Sequence, residues 1–285
     1  MELTATESDL PDSHFKLTSI PAWRADCYRF LSVYVWGNLP SQLQRMMSSL
    51  YARLYEKPYS RHIIKPYIQF HYSNSDYLEK FMPPEGKSEY GSFQDFFIRR
   101  FAENPSNGSP FVWPCEGLLC DSSSVDSLAA VQVKCDRRNV AAIFGVDPAE
   151  IPGNYHFSNV FLHNKNYHRI HAPVAGKIVR IQHIPGDLVV LRPWIYKQDP
   201  SLPAFRNERY NIDIEDSQER VWHLSIIGGP AVGTIKLPEN ISLGRHVNKL
   251  EEVALFYLGS TCCMAAPEKP SLHKKNSFVE VGVTY

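Results

Sequence analysis

Hydrophobic residues recur at spacings of three and four between residues 26 and 55. The recurring positions are Phe30, Leu31, Tyr34, Val35, Leu43, Met46, Met47, Leu50, Tyr51 and Leu54. This spacing predicts amphipathic helix, and the Gly- and Pro-containing break at residues 37–40 predicts two helices rather than one. The apolar stripe either packs on a protein core or lies in a lipid interface, with Trp36, Tyr34 and Phe30 at headgroup depth.

From residue 110 onward, short runs rich in Val, Ile, Phe and Tyr are separated by Gly, Pro, Asn and Asp, which is typical of strands and turns. The predicted strands are residues 131–134, 157–162, 176–181, 188–191, 210–214, 221–227, 231–235, 253–257 and 278–283. Residues 136–145 and 148–151 are expected to be helical. Because no long helices separate the strands, the fold class is α+β, with N-terminal amphipathic helices followed by an antiparallel β-rich sandwich or barrel body.

This pattern divides the chain into three segments. Residues 1–25 are a flexible polar tail, residues 26–105 a helical region that associates with a membrane or docks on the body, and residues 106–285 a β-rich domain. The aromatic and basic run YGSFQDFFIRRF at residues 90–101 predicts a short helix that docks the helical region onto the β-rich domain.

Composition excludes several classes of partner. The 30 basic and 30 acidic residues cancel, so the chain has no basic footprint for nucleic acid. The six cysteines lack the two-residue gap of zinc sites, and we expect no metal. The sequence contains neither a signal-peptide pattern nor a run of about 18 apolar residues, which predicts a chain that is soluble or lies on a membrane surface.

Three short clusters carry side chains suited to nucleophilic catalysis. They are PCEG at residues 114–117, YHRIH at residues 167–171 and LGST at residues 258–261. Two histidines three residues apart face opposite sides of a strand but share a side in a helix or tight turn. Pro173 stops a helix there, which favours a turn leading into the next strand. Taken singly, each cluster is typical of ordinary turns and surface residues.

In combination, the clusters resemble the phosphatidylserine decarboxylase family from about residue 28 to near the C terminus. The matching segments, in the family's order, are F-x-x-F-F-x-R at residues 93–99, Pro-x-acid-Gly at 114–117, Tyr-His-Arg-x-His at 167–171, Pro-Gly-Asp at 185–187, Asn-Glu-Arg at 207–209, a small-residue turn at 228–233 and Leu-Gly-Ser-Thr at 258–261. Each segment alone is weak evidence, whereas the ordered set is specific.

The resemblance implies a self-cleaving, pyruvoyl-dependent decarboxylase that converts phosphatidylserine to phosphatidylethanolamine and CO2. In such an enzyme the Ser260 hydroxyl attacks the carbonyl of Gly259, and an N-to-O acyl shift, β-elimination and hydrolysis turn Ser260 into a pyruvoyl group. The cut yields a large β chain and a small α chain, residues 260–285, which stays bound in the β-rich catalytic domain. The implied partner is a phospholipid membrane surface, and the implied location is peripheral, on a cytoplasmic or organelle face. A homodimer is left open.

The resemblance also assigns roles to individual residues. They are Ser260 as nucleophile, His171 as acceptor of its proton, Glu116 as the carboxylate that orients His171, His168 as the residue that assists decarboxylation, and Tyr167 and Thr261 as supporting residues. The family usually has Asp where this chain has Glu116. The extra methylene moves the carboxylate by about 1.5 Å, so we expect slower processing.

Three alternatives remain open at the level of sequence. The substrate is a soluble amino acid if the apolar stripe of the helical region is buried, and a lipid if the stripe is exposed. The chain is a processing-defective relative if Glu116 fails to orient His171. Residues 172–188 also resemble the half-motif of biotinyl and lipoyl carrier domains, but no hairpin with a modifiable lysine follows.

Overall fold

The computed structural model describes residues 21–285 except 73–75, 106–107, 129–130, 134–135, 194–195, 197–200, 230–234, 258–259 and 273. Gly259 of the predicted cleavage site and residues 1–20 of the predicted tail therefore lie outside the described residues. Residues 231–234 of one predicted strand do so as well.

Among the described residues, the helical region contains four α-helices, of which the sequence predicted all but α3. Its α-helices are α1 (Ala22–Phe30), α2 (Ser41–Glu56), α3 (Ile64–His71) and α4 (Phe93–Phe97). Between α1 and α2 the chain forms a π-helical segment (Leu31–Val35) and a 3-10 turn (Trp36–Asn38), so the predicted break is confirmed. Helix α4 is the predicted docking helix, and the Ser92 hydroxyl caps it by accepting a 3.2 Å hydrogen bond from Asp95 N. The sequence did not predict α3.

The body of the molecule consists of antiparallel strands. They are β1 (Phe81–Met82), β2 (Arg100–Phe101), β3 (Gly117–Ser124), β4 (Val131–Val133), β5 (Asp136–Arg138), β6 (His156–Leu162), β7 (Arg169–His171), β8 (Gly176–Ile184), β9 (Arg209–Glu215), β10 (Val221–Gly228), β11 (Ile235–Lys236), β12 (His246–Val247), β13 (Glu252–Phe256), β14 (Ser260–Ala266) and β15 (Phe278–Val279), with short helices α5 (Ala141–Phe144) and α6 (Leu202–Arg206). An eight-stranded sheet has the order β12-β8-β9-β10-β14-β6-β3-β15, and a three-stranded sheet has the order β11-β13-β7. The α+β class is confirmed. Among the described strands the large sheet stays open at β12 and β15, so it forms no closed barrel.

Three apolar cores hold these layers together. The first lies between the two sheets and joins β6, β8, β9, β10 and β14 to β7 and β13. The second covers the other face of the large sheet with α5 and α6. The third packs aromatic side chains of the helical region against the body. The body is therefore a sandwich, with the helical region docked at one end.

Two predicted elements are wrong. In residues 136–145, the segment Asp136–Arg138 is strand β5, and the helix is confined to α5 because Gly145 ends it in the left-handed conformation at φ 65°. Residues 188–191 form no strand. Their backbone groups bind side chains of the helical region instead, as in the hydrogen bonds from Leu188 N to Gln44 Oε1 and from Val190 N to Ser32 Oγ.

The same docking contact changes the expectation for Trp36. Its indole Nε1 donates a 2.8 Å hydrogen bond to Leu188 O, and its side chain is half-buried. Trp36 therefore anchors the helical region to the body. No helix among the described residues is both long enough and apolar enough to span a bilayer.

Candidate active site

Ser260 is the first residue of β14, in the middle of the large sheet. It lies opposite Gly228 of β10 and Leu162 of β6. Its side chain is fully buried, and its Oγ has no hydrogen-bond partner among the described residues. An unpaired buried hydroxyl typically costs about 1–3 kcal/mol, so this atom is an exception that calls for a functional explanation.

His168 is buried and immediately precedes β7. Strand β7 belongs to the three-stranded sheet, which packs against the large sheet that contains Ser260. Its Nδ1 donates a 2.7 Å hydrogen bond to Asn166 O, which leaves a lone pair on Nε2, and Nε2 has no partner within the described ranges. Burial lowers the pKa of His168 well below its usual value, so the ring is neutral. Phe256 N donates to His168 O at 3.0 Å, which fixes His168 against the strand that leads to Ser260.

His171 is also buried, but both of its ring nitrogens are in use. Nδ1 donates to Leu250 O at 2.7 Å, and Nε2 accepts from the Tyr167 hydroxyl at 2.9 Å. Burial lowers the pKa of His171 to about 4. Side chains alternate along a strand, and Ile170 points into the core between the sheets, so His171 in β7 points to the other side.

Glu116 is held by three donors, none of them a histidine. Its Oε1 accepts from the Tyr77 hydroxyl at 2.5 Å, from Asn166 Nδ2 at 3.1 Å and from Tyr167 N at 3.2 Å. Within the described part of the chain no hydrogen bond joins Glu116 to His171. Burial raises the pKa of Glu116, while the hydrogen bond from Tyr77 and the charge of Arg99 act in the opposite direction.

Arg99 is a fully buried cation close to Glu116. It is the second residue after α4. Its Nη2 donates hydrogen bonds to Lys165 O at 2.8 Å and to Asn166 O at 2.9 Å. The Tyr72 hydroxyl also donates to Lys165 O. Because a guanidinium stays charged, Arg99 favours the carboxylate form of Glu116 and fixes the loop that precedes His168.

A surface pocket opens above Glu116. It has a volume of about 510 Å³, and Glu79, Lys80, Glu103 and Glu280 lie around it. Ser260 and His168 are not among its lining residues. The pocket thus gives water a route to the carboxylate but does not reach the buried hydroxyl.

The structure separates the remaining supporting residues. Tyr167 contacts both Glu116, through its backbone N–H, and His171, through its hydroxyl. Thr261 lies on the opposite face of β14 from Ser260, because neighbouring strand residues alternate, and it pairs with Ile227 of β10.

Sequence reasoning missed Asn166 and Tyr77 and gave Arg99 no role. Asn166 immediately precedes the Tyr-His-Arg-x-His segment, and this adjacency was its only signal. Tyr77 is distant from every matched segment, so only the fold brings it to Glu116.

Comparison with known proteins agrees with this arrangement. The family model described as phosphatidylserine decarboxylase matches residues 93–285. The chain is similar to the phosphatidylserine decarboxylase proenzyme of Azoarcus sp. (strain BH72), with 31% identity over 204 residues, which are 63% of this chain and 68% of that protein. It is also similar to the proenzyme of the same name from Delftia acidovorans, with 30% identity over 207 residues, 64% of this chain and 71% of the relative.

The matched region contains Ser260, both histidines and Glu116, so the buried hydroxyl and its surroundings fall inside the shared part of the sequence. The match covers about two thirds of the chain, at about 30% identity to the two relatives. This chain belongs to the phosphatidylserine decarboxylase family.

Proposed function

We propose that this chain is a self-cleaving, pyruvoyl-dependent carboxy-lyase that converts phosphatidylserine to phosphatidylethanolamine and CO2. The observation that carries the proposal is the fully buried hydroxyl of Ser260, which has no hydrogen-bond partner among the described residues. The neutral imidazole of His168, whose Nε2 likewise has no partner among them, supports it. The names of the relatives, phosphatidylserine decarboxylase proenzyme, support both the substrate and the processing step.

Cleavage requires a group that removes the proton from the Ser260 hydroxyl as Oγ attacks the carbonyl carbon of Gly259. The sequence assigned this task to His171. The hydrogen bonds favour a different division of labour, because Nε2 of His171 already accepts from Tyr167 whereas Nε2 of His168 has no partner among the described residues. We therefore propose His168 as the proton acceptor. His171 is a residue that its hydrogen bonds to Leu250 O and the Tyr167 hydroxyl hold in place.

Low basicity limits the rate of this step. A buried histidine with a strongly lowered pKa is present as the free base at neutral pH, but it binds a proton weakly. We therefore infer slow maturation, consistent with the expectation from Glu116.

After cleavage, Ser260 is the residue that carries the pyruvoyl group. That group supplies an electron-withdrawing carbonyl, which stabilises the negative charge left on the substrate when CO2 departs. The site fits it, since the Ser260 position is fully buried, pairs with the apolar Leu162 and is free of competing hydrogen bonds among the described residues. His168 is then available to hold or deliver a proton beside it.

The small chain is expected to stay in place without a covalent link. Strand β14 is paired along its whole length with β6 and over six residues with β10, and β15 pairs with β3. Cutting before Ser260 and converting it to pyruvoyl removes the N–H of residue 260 but leaves the pairings of residues 261–266 and of β15 intact.

Helix α2 supports a lipid substrate because its amphipathic pattern is inverted. The side that faces the body carries Gln44, Ser48 and Ala52, which are buried. The side that faces outward is apolar, and its exposed residues are Met46 (62% exposed), Met47 (46%), Leu50 (65%), Tyr51 (46%) and Leu54 (50%). The preceding segment adds Phe30 and Tyr34, 57% and 60% exposed. A continuous apolar surface of this kind marks an interaction site.

We propose that this surface, called the apolar helix face, lies in the headgroup region of a phospholipid membrane. A bilayer is the occupant because the proposed substrate is itself a membrane lipid. The exposed stripe also meets the criterion that distinguishes a lipid substrate from a soluble amino acid. The enzyme is accordingly peripheral.

The proposed reaction is tested by incubating the purified protein with vesicles that contain phosphatidylserine and, separately, with free serine. We expect phosphatidylethanolamine and CO2 from the vesicles, little CO2 from serine, and neither product with Ser260→Ala. Equal CO2 release from free serine would move the substrate to a soluble amino acid.

Membrane binding is tested with two variants that add one negative charge to the same helix. Leu50→Glu should weaken co-sedimentation with vesicles about 10-fold, because a Leu that is 65% exposed gains about 1–2 kcal/mol on insertion. Gln42→Glu, also exposed on α2 but outside the apolar helix face, should pellet like the unaltered protein. Equal pelleting of the two variants would contradict the proposal.

A further inference from the structure

Four basic side chains gather where strand β6 ends, beside the start of β14. They are His163 and Lys165 from the loop after β6, His71 from the end of α3, and Arg192. The ring centroids of His71 and His163 lie 6.4 Å apart. Lys165 is fully buried, the two histidines are half-buried, and Arg192 is exposed. We call these four residues the basic cluster.

The register of the large sheet places the basic cluster next to Ser260. Leu162, the last residue of β6, pairs with Ser260, the first residue of β14. Because the two strands are antiparallel, the chain that continues beyond Leu162 runs past the N-terminal end of β14. His163 follows Leu162 directly, so the cluster begins one residue after the partner of Ser260.

The protonation of the basic cluster suits an anionic ligand. Burial and the charges of Lys165, Arg192 and His71 lower the pKa of His163 to about 3, so its ring is neutral. Its Nδ1 accepts a 3.4 Å hydrogen bond from Lys165 N, which leaves the ring proton on Nε2 as a donor. Burial lowers the pKa of Lys165 to about 8, so its ammonium stays charged at neutral pH.

The substrate of the proposed reaction carries an anion at a matching distance. In phosphatidylserine four bonds join the amine nitrogen to the phosphorus, a span of at most about 5 Å. Neighbouring strands lie about 4.8 Å apart. A headgroup whose amine reaches residue 260 therefore extends its phosphate past the end of β14, where the basic cluster begins.

The chemistry of the reaction favours the phosphodiester over the carboxylate as the group that binds there. Cations that hold the carboxylate would stabilise the ground state, and this stabilisation would be lost as CO2 departs. The phosphodiester keeps its charge throughout the reaction. Binding it holds the substrate without opposing the loss of CO2.

The surroundings of the basic cluster also suit a lipid. Phe70 precedes His71 on α3, is 79% exposed, and its ring centroid lies 4.8 Å from that of His71. An exposed aromatic residue beside basic groups is typical of the boundary between headgroups and acyl chains. The cluster thus borders a surface on which the rest of a phospholipid can lie.

We propose that the basic cluster binds the phosphodiester of the substrate headgroup, with Lys165 supplying the positive charge and His163 the Nε2 donor. The inference rests on the proposed function, since it names the part of the protein that recognises its lipid substrate. It also explains selection against free serine, which has the amine and the carboxylate but no phosphate for the cluster to bind.

Binding is tested with glycerophosphoglycerol, which has the phosphodiester but no amine that can react. In isothermal titration calorimetry with the full-length protein, Lys165→Met should weaken the Kd about 10-fold, because a charge-assisted contact is lost. Lys165→Arg keeps the charge and should restore binding. His163→Phe keeps a ring without a donor and should also weaken the Kd. Lys177→Met makes the same change as Lys165→Met at an exposed position of β8 and should bind like the unaltered protein.

Two results of the titration would overturn the inference. The first is no binding to the unaltered protein, and the second is the same Kd for the unaltered protein and His163→Phe, which decides the matter if Lys165→Met does not fold. Inorganic phosphate is titrated in the same way. Tighter binding of inorganic phosphate than of the diester would assign the cluster to free phosphate and would contradict a headgroup site.

Kinetics separates this inference from the proposed function. With a short-chain, water-soluble phosphatidylserine, Lys165→Met should raise KM about 10-fold and leave kcat nearly unchanged, while CO2 release from free serine stays the same. An unchanged KM in an active enzyme would count against the inference alone. Diester binding that depends on Lys165, in a protein that releases no CO2 from phosphatidylserine, would count against the proposed function alone.

Discussion

Replacing His171 with Gln should remove a defined part of the acid sensitivity of this protein. His171 is buried in its neutral form, with Nδ1 bonded to Leu250 O and Nε2 to the Tyr167 hydroxyl. Burial lowers its pKa from 6.5 to about 4. Gln also offers one donor and one acceptor, but it does not titrate.

The sign and size of the effect follow from the difference in proton binding. Below pH 6.5 the unfolded chain binds a proton at this histidine and the native chain does not, so native stability falls as the pH drops from about 6.5 to about 4. At pH 5, relative to neutral pH, the loss from this residue is about 2 kcal/mol. Above pH 6.5 both states are neutral, and the residue adds no pH dependence.

The assay is urea unfolding at about pH 7 and pH 5 in a Ser260→Ala background, where the polypeptide remains uncut. The other buried histidines, His156, His168 and His223, and the half-buried His163 are present in both proteins, so the difference between the two proteins isolates His171. We expect His171→Gln to be less stable at pH 7 but to lose about 2 kcal/mol less between the two pH values. Parallel losses would refute the claim that His171 is held as a neutral base.

Two further predictions concern segments that position the site. Gly186→Ala should lower the free energy of unfolding by about 1–3 kcal/mol, because a Cβ there would lie 2.4 Å from Arg206 O. Gly108→Ala is the control, since its Cβ would meet nothing within 4 Å, and it should leave urea unfolding unchanged. Equal unfolding midpoints for the two variants would contradict the close approach at Gly186. Asn207→Ala should cost about 2–4 kcal/mol, because the fully buried amide makes three hydrogen bonds of 2.8–3.0 Å to backbone groups; a loss no greater than that of the exposed control Asn154→Ala would count against this role.

The sequence predicted the order of the helices and strands better than it predicted which side of each element faces the core. The period of three and four predicted helix on both sides of residues 37–40, because apolar spacing is a local property of helices. Helix α1 nevertheless begins at Ala22, inside the segment predicted as a flexible tail. The same period left open which side of α2 meets the body. In the structure the amphipathic pattern of α2 is inverted. The polar Gln44 and Ser48 are buried against the body, whereas Leu50 is exposed.

Strand β14 escaped prediction for a different reason. Its sequence STCCMAA has one β-branched residue, Thr261, and no aromatic residue, which is few for a strand. The two flanking strands, β6 and β10, supply the pairing that makes it extended. The motif around Ser260 was therefore expected at the end of a strand, and it stands at the beginning of one.

Motif order named Ser260, His168, His171 and Glu116 as candidates, and the structure buries all four, but the motifs could not give their contacts. Which histidine faces the hydroxyl depends on the alternation of β7, and the donors to Glu116 come from residues far apart in the chain. Local sequence contains no information on those distances, so the hydrogen bonds from Tyr77 and Asn166 to Glu116 emerged only from the fold.

The most direct test of the central claim is the intact mass of the freshly purified full-length protein under denaturing conditions. We expect two polypeptides, produced by a cut between Gly259 and Ser260. The shorter one, residues 260–285, should carry a ketoacyl group in place of its amino terminus. Ser260→Ala should give one uncut chain. A single intact mass for the unaltered protein, or two fragments that persist in Ser260→Ala, would contradict it.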